Sequence, residues 1–472
     1  MNTLLWLRTD LRMHDNPALA AAAENGTVTA LFIASPGQWR QHDDAPAKVD
    51  FWLRNLHELQ RDLGGIGIPL KLLTVDDWRH APDAIAAFCK QHDIAQVHAN
   101  TEWAINERRR DAAVGIALAE IGVDWTLHHG ASLLRPGTVL TGKGECYRVY
   151  TPYARTCRER LRTAPLRALP PPKAQTPPAW KADPLPDAFD GFAPASEAIR
   201  ALWPAGEAAA SDRLEAFADG VIDAYKDERD FPSLPGTSCL SPYLAAGVLS
   251  PGQALRAALA ANHGELDSGK AGAATWINEL LWREFYQHLL AAYPSLSMHL
   301  PMKPETAAVP WRDAPTDLQA WQQGQTGIPI VDAAMRQLLA LGWMHNRLRM
   351  VTAMFLSKNL LIDWRLGEAW FMQHLVDGDL AANNGGWQWS ASTGADAVPY
   401  FRVFNPLSQS RRFDPRGVFL REWLPELAHL DDQAIHDPSP MERAAAGYPT
   451  AIVDLAQSRL RALEAFGNLP AV

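Results

Sequence analysis

Short apolar runs alternate with amphipathic stretches through the first 130 residues. Leu4–Leu7, Val28–Ile33, Leu70–Val75, Gln96–Ala99 and Asp124–His128 read as short buried strands, with helical spacing over 17–24, 46–63, 81–92 and 104–121 between them. Asn16-Pro17 is a strong start for the first helix, Asn as cap and Pro in the first turn. This alternation predicts an α/β domain over residues 1–130: a parallel five-stranded, Rossmann-like sheet covered by helices on both faces. No GxGxxG follows the first strand, so the ordinary dinucleotide fingerprint is absent. Residues 131–200 hold Pro165, Pro170–Pro172, Pro177, Pro178, Pro184 and Pro186, which predict an extended, surface-hugging connection without long helices. From about residue 205 the periodicity is almost wholly helical, so 201–472 should be a large all-α domain. The acidic, mixed tail after Leu424 should add a final helix or two.

A chain of 472 residues is too long for one core, in line with that division. The opening MNTLLWLRTD carries Arg8 and Asp10 and does not read as a signal peptide, and no apolar run reaches membrane-spanning length. Cys89, Cys146, Cys157 and Cys239 lack CxxC spacing and read as reduced thiols of a cytoplasmic protein. A net charge of −9 argues against a generic nucleic-acid binder; binding DNA would need a local basic face on an acidic body. Eighteen tryptophans exceed what a core needs and fit stacking or electron transfer as well. Gly137–Lys143 matches GxxxxGK, but Gly144 stands where a P-loop needs Ser or Thr, so it is rejected as a phosphate loop. Neither a metal cluster nor a nucleophile with its base stands out.

Chemistry concentrates in Asp377-Gly-Asp-Leu-Ala-Ala-Asn-Asn-Gly-Gly-Trp-Gln-Trp389. Asn383-Asn384-Gly385-Gly386 disfavours a helix, so the stretch predicts a backbone turn that brings Asp and Asn side chains against a flat, polar, aromatic ligand. A tight loop anchored by two core tryptophans is the plainer alternative. In WINELLWREFY, Glu279, Trp282, Arg283 and Tyr286 fall on one helix face, either as a binding stripe or as a surface ion pair beside a half-buried indole. In HNRLRM, Asn346 and Met350 are one turn apart, while Arg347 and Arg349 point elsewhere. Tyr225 and the segment Gly236–Ser241 offer hydroxyls and backbone N–H groups ahead of a helix near Pro242, suited to anionic oxygens or to simple capping.

DGDLAANNGGWQW resembles the flavin-binding signature of the photolyase/cryptochrome family. WINELLWREFY, TGIPIVDAAMRQL and GWMHNRLRM resemble that family in the same order, and the resemblance runs from the N-terminus to about Leu424. Within it the chain is most similar to the class I enzymes that repair cyclobutane pyrimidine dimers. The resemblance implies an all-α FAD-binding domain with Tyr225, Thr237, Ser238, Cys239, Leu240, Ser241, Arg349, Asp377, Gly378, Asp379 and Asn383 around the cofactor. Arg349 would pair with Asp377 beside the isoalloxazine, and Asn383 would meet its N5 edge. Many relatives carry Lys or Arg where Cys239 stands. Glu279, Trp282, Asn346, Met350, Asn383 and Trp389 form the implied catalytic set, and Trp387, Trp364 and Trp311 the implied electron-transfer chain. Arg229, Arg283, Arg347 and Arg402 would bind DNA. Asn106-Glu107 resembles the pair that contacts an antenna chromophore, 5,10-methenyltetrahydrofolate, although folate-bearing relatives often have Lys where Met298 stands; a deazaflavin is the alternative.

The implied activity is light-driven repair of a flipped-out dimer by an electron from excited reduced FAD, in a cytoplasmic monomer acting on UV-damaged DNA without membrane contact. A histidine occupies the position of Asn346 in relatives that repair (6-4) photoproducts, and His345 points about 100° away from it on a helix. A signalling cryptochrome, or a flavoprotein using the tryptophans for thermal electron transfer, are the competing readings.

Overall fold

The computed structural model describes residues 1–164 and 166–470; Pro165 of the proline-rich connection and the last two residues of the helical domain lie outside the described residues. The expected strands form at β1 (Asn2–Leu7), β2 (Thr27–Ala34), β3 (Leu70–Thr74), β4 (Ile94–Asn100) and β5 (Asp124–His128). They build one parallel sheet in the order β3-β2-β1-β4-β5. Between them run α1 (Pro17–Asn25), α2 (Pro46–Gly65), α3 (Ala81–Gln91) and α4 (Ile105–Ala119). The Asn16 side chain caps α1 by accepting from the Leu19 N–H at 3.2 Å, with Pro17 in the first turn. Central β1 and β2 are continuous apolar runs because both sheet faces are covered. One face packs Leu4, Trp6, Leu31 and Val97 against Ile85 and Phe88 of α3 and Val114 and Leu118 of α4.

The span 131–200 departs from expectation. It contains a fourteen-residue helix, α5 (Tyr150–Thr163). Its buried positions Tyr150, Tyr153, Ala154, Cys157 and Leu161 keep strict helical spacing, and the proline cluster begins only after it. The proline-rich part is extended as expected and clings to the sheet. Gln175 exchanges two hydrogen bonds with the Val28 backbone, and the Asp183 N–H donates to Leu70 O. Gly137–Lys143 lies among turns around an isolated bridge, Leu140 to Cys146, so the strand–loop–helix context of a phosphate loop is absent there.

Beyond β5 no further strand occurs among the described residues. The helices that carry candidate chemistry are α6 (Ala271–Ala292), α7 (Asn346–Met354), α8 (Trp364–Met372) and α9 (Leu380–Ser390). Pro440–Ala446 and Leu455–Gly467 supply the expected closing helices. The expected turn at Asn383–Gly386 is corrected: those residues lie inside α9. Two glycines cost such a helix about 1 kcal/mol each relative to alanine. Tertiary hydrogen bonds offset this, since the Asn383 Nδ2 donates to Glu368 O at 3.0 Å and the Asn384 Nδ2 to Glu368 Oε1 at 2.8 Å. The side chains that would compete with the α9 backbone are thus spent on α8.

Two compact units interleave in sequence. The first comprises Met1–Asp223, Ser238–Pro294 and Val376–Asp379; the second comprises Ala224–Thr237, Ser295–Leu375 and Leu380–Val472. The second has its own apolar core, which includes Trp321, Val331, Leu348, Leu356, Trp364, Phe371 and Trp387. Among the described residues no helix is long and apolar enough to cross a membrane.

Candidate functional site

Within the first unit, α6 presents Glu279, Trp282, Arg283 and Tyr286 as a half-buried face, while Ile277, Leu281 and Phe285 are fully buried. The four residues do share one helix face. Arg283 is engaged at home: it donates to Ala131 O at 2.9 Å and lies 3.8 Å from Glu284. The indole of Trp282 lies against the Tyr150 ring of α5, a residue that the sequence reading missed. Asp377 is buried, and Asp379 accepts from the Gln287 Nε2 at 3.2 Å. Ser238, Cys239 and Leu240 lead into a one-turn helix that starts at Ser241, and Cys239 adopts a left-handed φ of 48° that an ordinary side chain rarely takes. All four cysteines are free thiols. No metal-binding cluster occurs among the described residues.

Within the second unit, α7 starts at Asn346, whose side chain is exposed; Met350, one turn on, is half-buried. His345 is buried and caps the helix, its Nδ1 accepting from the Arg347 N–H at 3.2 Å. Burial lowers its pKa to about 4, so the cap is neutral at pH 7 with Nδ1 as acceptor. Arg347 pairs with Asp230 at 2.7 Å and lies over the Phe413 ring at 4.4 Å. Arg229 reaches the same carboxylate at 4.0 Å and lies over Tyr225 at 5.2 Å. Two of the four arginines picked from sequence thus share one acidic residue, which the reading did not single out. Arg349 donates to Met344 O at 2.8 Å, and the Arg402 side chain is exposed. Thr237 is half-buried in the same unit.

Glu368 organises the α8–α9 pair. It is 1% exposed; its main-chain oxygen takes the Asn383 amide, Oε1 takes the Asn384 amide, and Oε2 meets the His299 Nδ1 at 2.9 Å. The bond from Asn383 fixes the orientation of its amide and leaves Oδ1, an acceptor, as the atom that the bond does not use. Trp389 is half-buried on the same helix. Trp387 and Trp364 are 2% and 1% exposed in one apolar cluster, and the partly exposed Trp311 packs against it. Trp387 meets Trp321 at 6.0 Å and Phe371 at 5.0 Å, both edge-on. Neither neighbour was foreseen.

A second candidate centre lies at the start of α4. The Asn106 Nδ2 and the Gln38 Nε2 both point at the His42 Nε2, at 3.0 and 2.9 Å, so that nitrogen is the acceptor and the ring is neutral. Burial lowers the His42 pKa, in agreement. Its ring meets Trp78 edge-on at 5.0 Å, and Arg110 lies over Trp78 and Trp6. Arg110 and Arg8 hold Glu102 and Asp111 in a buried network. Burial alone would raise Glu102, but the two guanidiniums reverse this and hold it at about 2. At Glu107 burial, then the charge of Glu102, outweigh the pull of Arg110 and push it up to about 7, and its Oε2 is hidden without a hydrogen-bond partner.

A family model described as the FAD binding domain of DNA photolyase matches residues 276–468, and one described as DNA photolyase matches residues 3–175. The chain is 46% identical to a deoxyribodipyrimidine photo-lyase of Salmonella typhimurium over 98% of both chains. Its fold is similar to a class III photolyase from Agrobacterium tumefaciens, with a TM-score of 0.87, 36% identity and coverage of 99% of this chain and 97% of that one. It is also similar to a Synechocystis cryptochrome, with a TM-score of 0.87, 28% identity and coverage of 98% and 99%.

Proposed function

The chain belongs to the DNA photolyase family and is an enzyme of DNA photorepair; from that premise we propose that it splits cyclobutane pyrimidine dimers, taken out of the DNA stack, by light-driven electron transfer. Bound FAD, reduced and excited by light, supplies the electron. Everything else falls to the protein: to bind, orient and shield. The residues fit the cofactor. Asn383 has an amide locked by Glu368 and an oxygen left to accept from an N–H at the flavin N5 edge. Asp377 and Asp379 would provide acceptors for the ring system and ribitol, and Arg349 a cation. Tyr225, Thr237, Ser238, Cys239, Leu240 and Ser241 would hold the diphosphate through hydroxyls and backbone N–H groups, since Cys239 brings no cation. Trp387, Trp364 and Trp311 run from buried to partly exposed, the gradient that a chain returning the cofactor to its reduced state needs.

Lesion type follows from α7. Reversing a (6-4) product requires a proton to be moved, whereas opening a cyclobutane ring does not. Asn346 is exposed, and an amide cannot shuttle protons. The neighbouring His345 cannot substitute, because it is buried, neutral and committed to capping the helix. That juxtaposition carries the assignment. Glu279, Met350, Trp282 and Trp389 would contact the lesion, the two indoles by stacking, and Arg229, Arg283, Arg347 and Arg402 the flanking phosphates. Offered both lesions in matched oligonucleotides, the reduced holoprotein should restore the cyclobutane substrate under near-ultraviolet or blue light and neither substrate in darkness. Efficient light-driven restoration of the (6-4) substrate would overturn the assignment, and turnover in darkness would overturn photorepair.

The centre at Asn106 and Glu107 suits an antenna chromophore. The hidden Glu107 oxygen requires a donor, and the N–H groups of 5,10-methenyltetrahydrofolate or of a deazaflavin supply one. Adding the folate to purified protein should produce its absorption band, and Glu107→Gln should weaken uptake.

A further inference from the structure

The Tyr150 and Trp282 rings lie with centroids 3.7 Å apart and planes 6° apart. Most aromatic pairs in proteins prefer offset or edge-on contact at about 4.5–7 Å, so this is an unusually close, face-to-face arrangement. Tyr150 is also held at its far end. Its hydroxyl lies 2.8 Å from both the carbonyl oxygen and the Oδ1 of Asn278. Asn278 is one turn before Trp282 on α6, so ring and hydroxyl grip the same helix at adjacent turns. Arg158, also on α5, donates to that Oδ1 at 2.5 Å and ties the two helices at the same point. On its own helix Trp282 meets Phe285 edge-on and the tilted ring of Tyr286, each at 5.8 Å. Tyr150 is 7% exposed while Trp282 is half-buried, so the indole surface still open lies away from Tyr150.

We propose that Tyr150 is a positioning residue for lesion recognition, fixing the plane of Trp282 so that its uncovered face is ready to receive the flipped dimer. This rests on the photorepair reading given above. An indole free to change rotamer must be immobilised when a base stacks on it, and that ordering weakens binding. An indole already clamped between α5 and its own helix escapes that loss. The benefit is confined to DNA that places a base on Trp282, and binding through phosphates does not draw on it.

The test uses full-length, FAD-loaded protein and the variants Tyr150→Phe, Tyr150→Leu and Tyr150→Met, with affinity measured for dimer-containing and undamaged oligonucleotides over a range of salt. Tyr150→Phe keeps the plane and should hold the damage preference within about twofold of wild type. Leu and Met fill the space without a plane, so the preference should fall by about three- to tenfold, the amount that freezing one large side chain is worth. Affinity for undamaged DNA, its salt slope and FAD content should not change. A folded Leu or Met variant with full preference overturns the proposal, and so does an equal loss on both DNAs. Failure of both variants to retain FAD where Phe retains it assigns Tyr150 to packing and overturns it too. A wild type with no preference for dimer-containing DNA defeats the photorepair reading itself.

Discussion

Two polar networks, one beside the sheet and one between α8 and α9, solve the same problem with different groups. Around Arg110 the protein buries whole charges: Arg8, Glu102 and Asp111 are matched cation to anion, with Trp6 and Trp78 against the guanidiniums. Around Glu368 it spends one carboxylate and otherwise uses amides, Asn383, Asn384 and Gln388, with His299 closing the set. Matched charges resist displacement but cannot present a weak, directional contact. Amides can, because fixing one end of the group orients the other. Each network leaves an acceptor outside the matching: Oε2 of Glu107 beside the first, Oδ1 of Asn383 in the second. A ligand at the first must bring a donor into a charged neighbourhood. A ligand at the second meets a neutral acceptor whose direction is already set.

The sharpest way to break this contrast is Arg110→Met. It strands Glu102 and Asp111 with Arg8 alone, and losing one partner of a buried ion pair costs about 3–5 kcal/mol. Denaturant unfolding should show a loss of that size; under 1 kcal/mol would mean that the network is solvated rather than buried. Its pH dependence has two parts of opposite sign. Glu102 is held at about 2 against an ordinary 4.5, so it stabilises the fold above about pH 4.5, and that contribution vanishes as pH falls toward 2. Glu107 is raised from 4.5 to about 7, so the unfolded chain loses that proton first and stability falls as pH rises from about 4.5 to 7. Glu107→Gln should flatten the second slope and leave the first.

Glu368→Leu should have the next largest effect. It removes a carboxylate that Asn384 and His299 use, at a cost of about 1–3 kcal/mol, but keeps the main-chain oxygen that holds Asn383. The expected outcome is a less stable protein that still retains FAD, measured by thermal unfolding and by flavin content after dialysis. If FAD were lost while the helices stayed intact, the carboxylate itself, rather than the main chain, would be orienting the site.

The two regions were legible in opposite ways. Beside the sheet, period and capping located every strand and α1 from Asn16-Pro17, yet nothing in NERRRD reveals that Arg110 is matched and Glu107 is not; that depends on Arg8 and Glu102, which are distant in sequence. In the helical part Asn383–Gly386 read as a turn but lie inside α9. Local propensity at Asn383–Gly386 does not include Glu368, which takes up both amides. The missed α5 is a different case. Its buried stripe from Tyr150 to Leu161 stands plainly in the sequence, ahead of the proline-rich part that stays extended.

A milder effect is expected at Trp387. A Cβ added to Gly367 would lie 2.1 Å from the Trp387 Cη2, so the indole is packed against bare backbone there. Trp387→Phe should cost about 1–2 kcal/mol through the space it vacates, and Gly367→Ala alone should cost about 1–3 kcal/mol by overpacking. Together they should cost less than the sum, because the added methyl enters the vacated space. Light-driven reduction of oxidised flavin by external reductant should slow in Trp387→Phe, while repair by enzyme reduced beforehand survives. Unchanged photoreduction would return Trp387 to a purely packing role.

The smallest effect is expected at Arg402, and it distinguishes two kinds of arginine. Arg347 is pinned by Asp230 and lies over Phe413, so replacing it leaves the Asp230 carboxylate, with Arg229 at 4.0 Å, facing the proposed phosphate path. Arg402 stands on an exposed segment beside Phe401, which is 60% exposed, and its main-chain oxygen accepts from the buried Lys358 Nζ at 3.2 Å. Removing its side chain leaves that anchor intact. Folding stability should therefore change by less than about 0.5 kcal/mol. If Arg402 neutralises one phosphate, the slope of log affinity against log salt should flatten by about 0.9, equally for damaged and undamaged DNA. Arg347→Ala should weaken binding more, since it adds repulsion from Asp230 to the lost contact. Equal effects of the two substitutions on affinity and slope would mean that Asp230 does not bear on the DNA path, and that both arginines act as simple point charges.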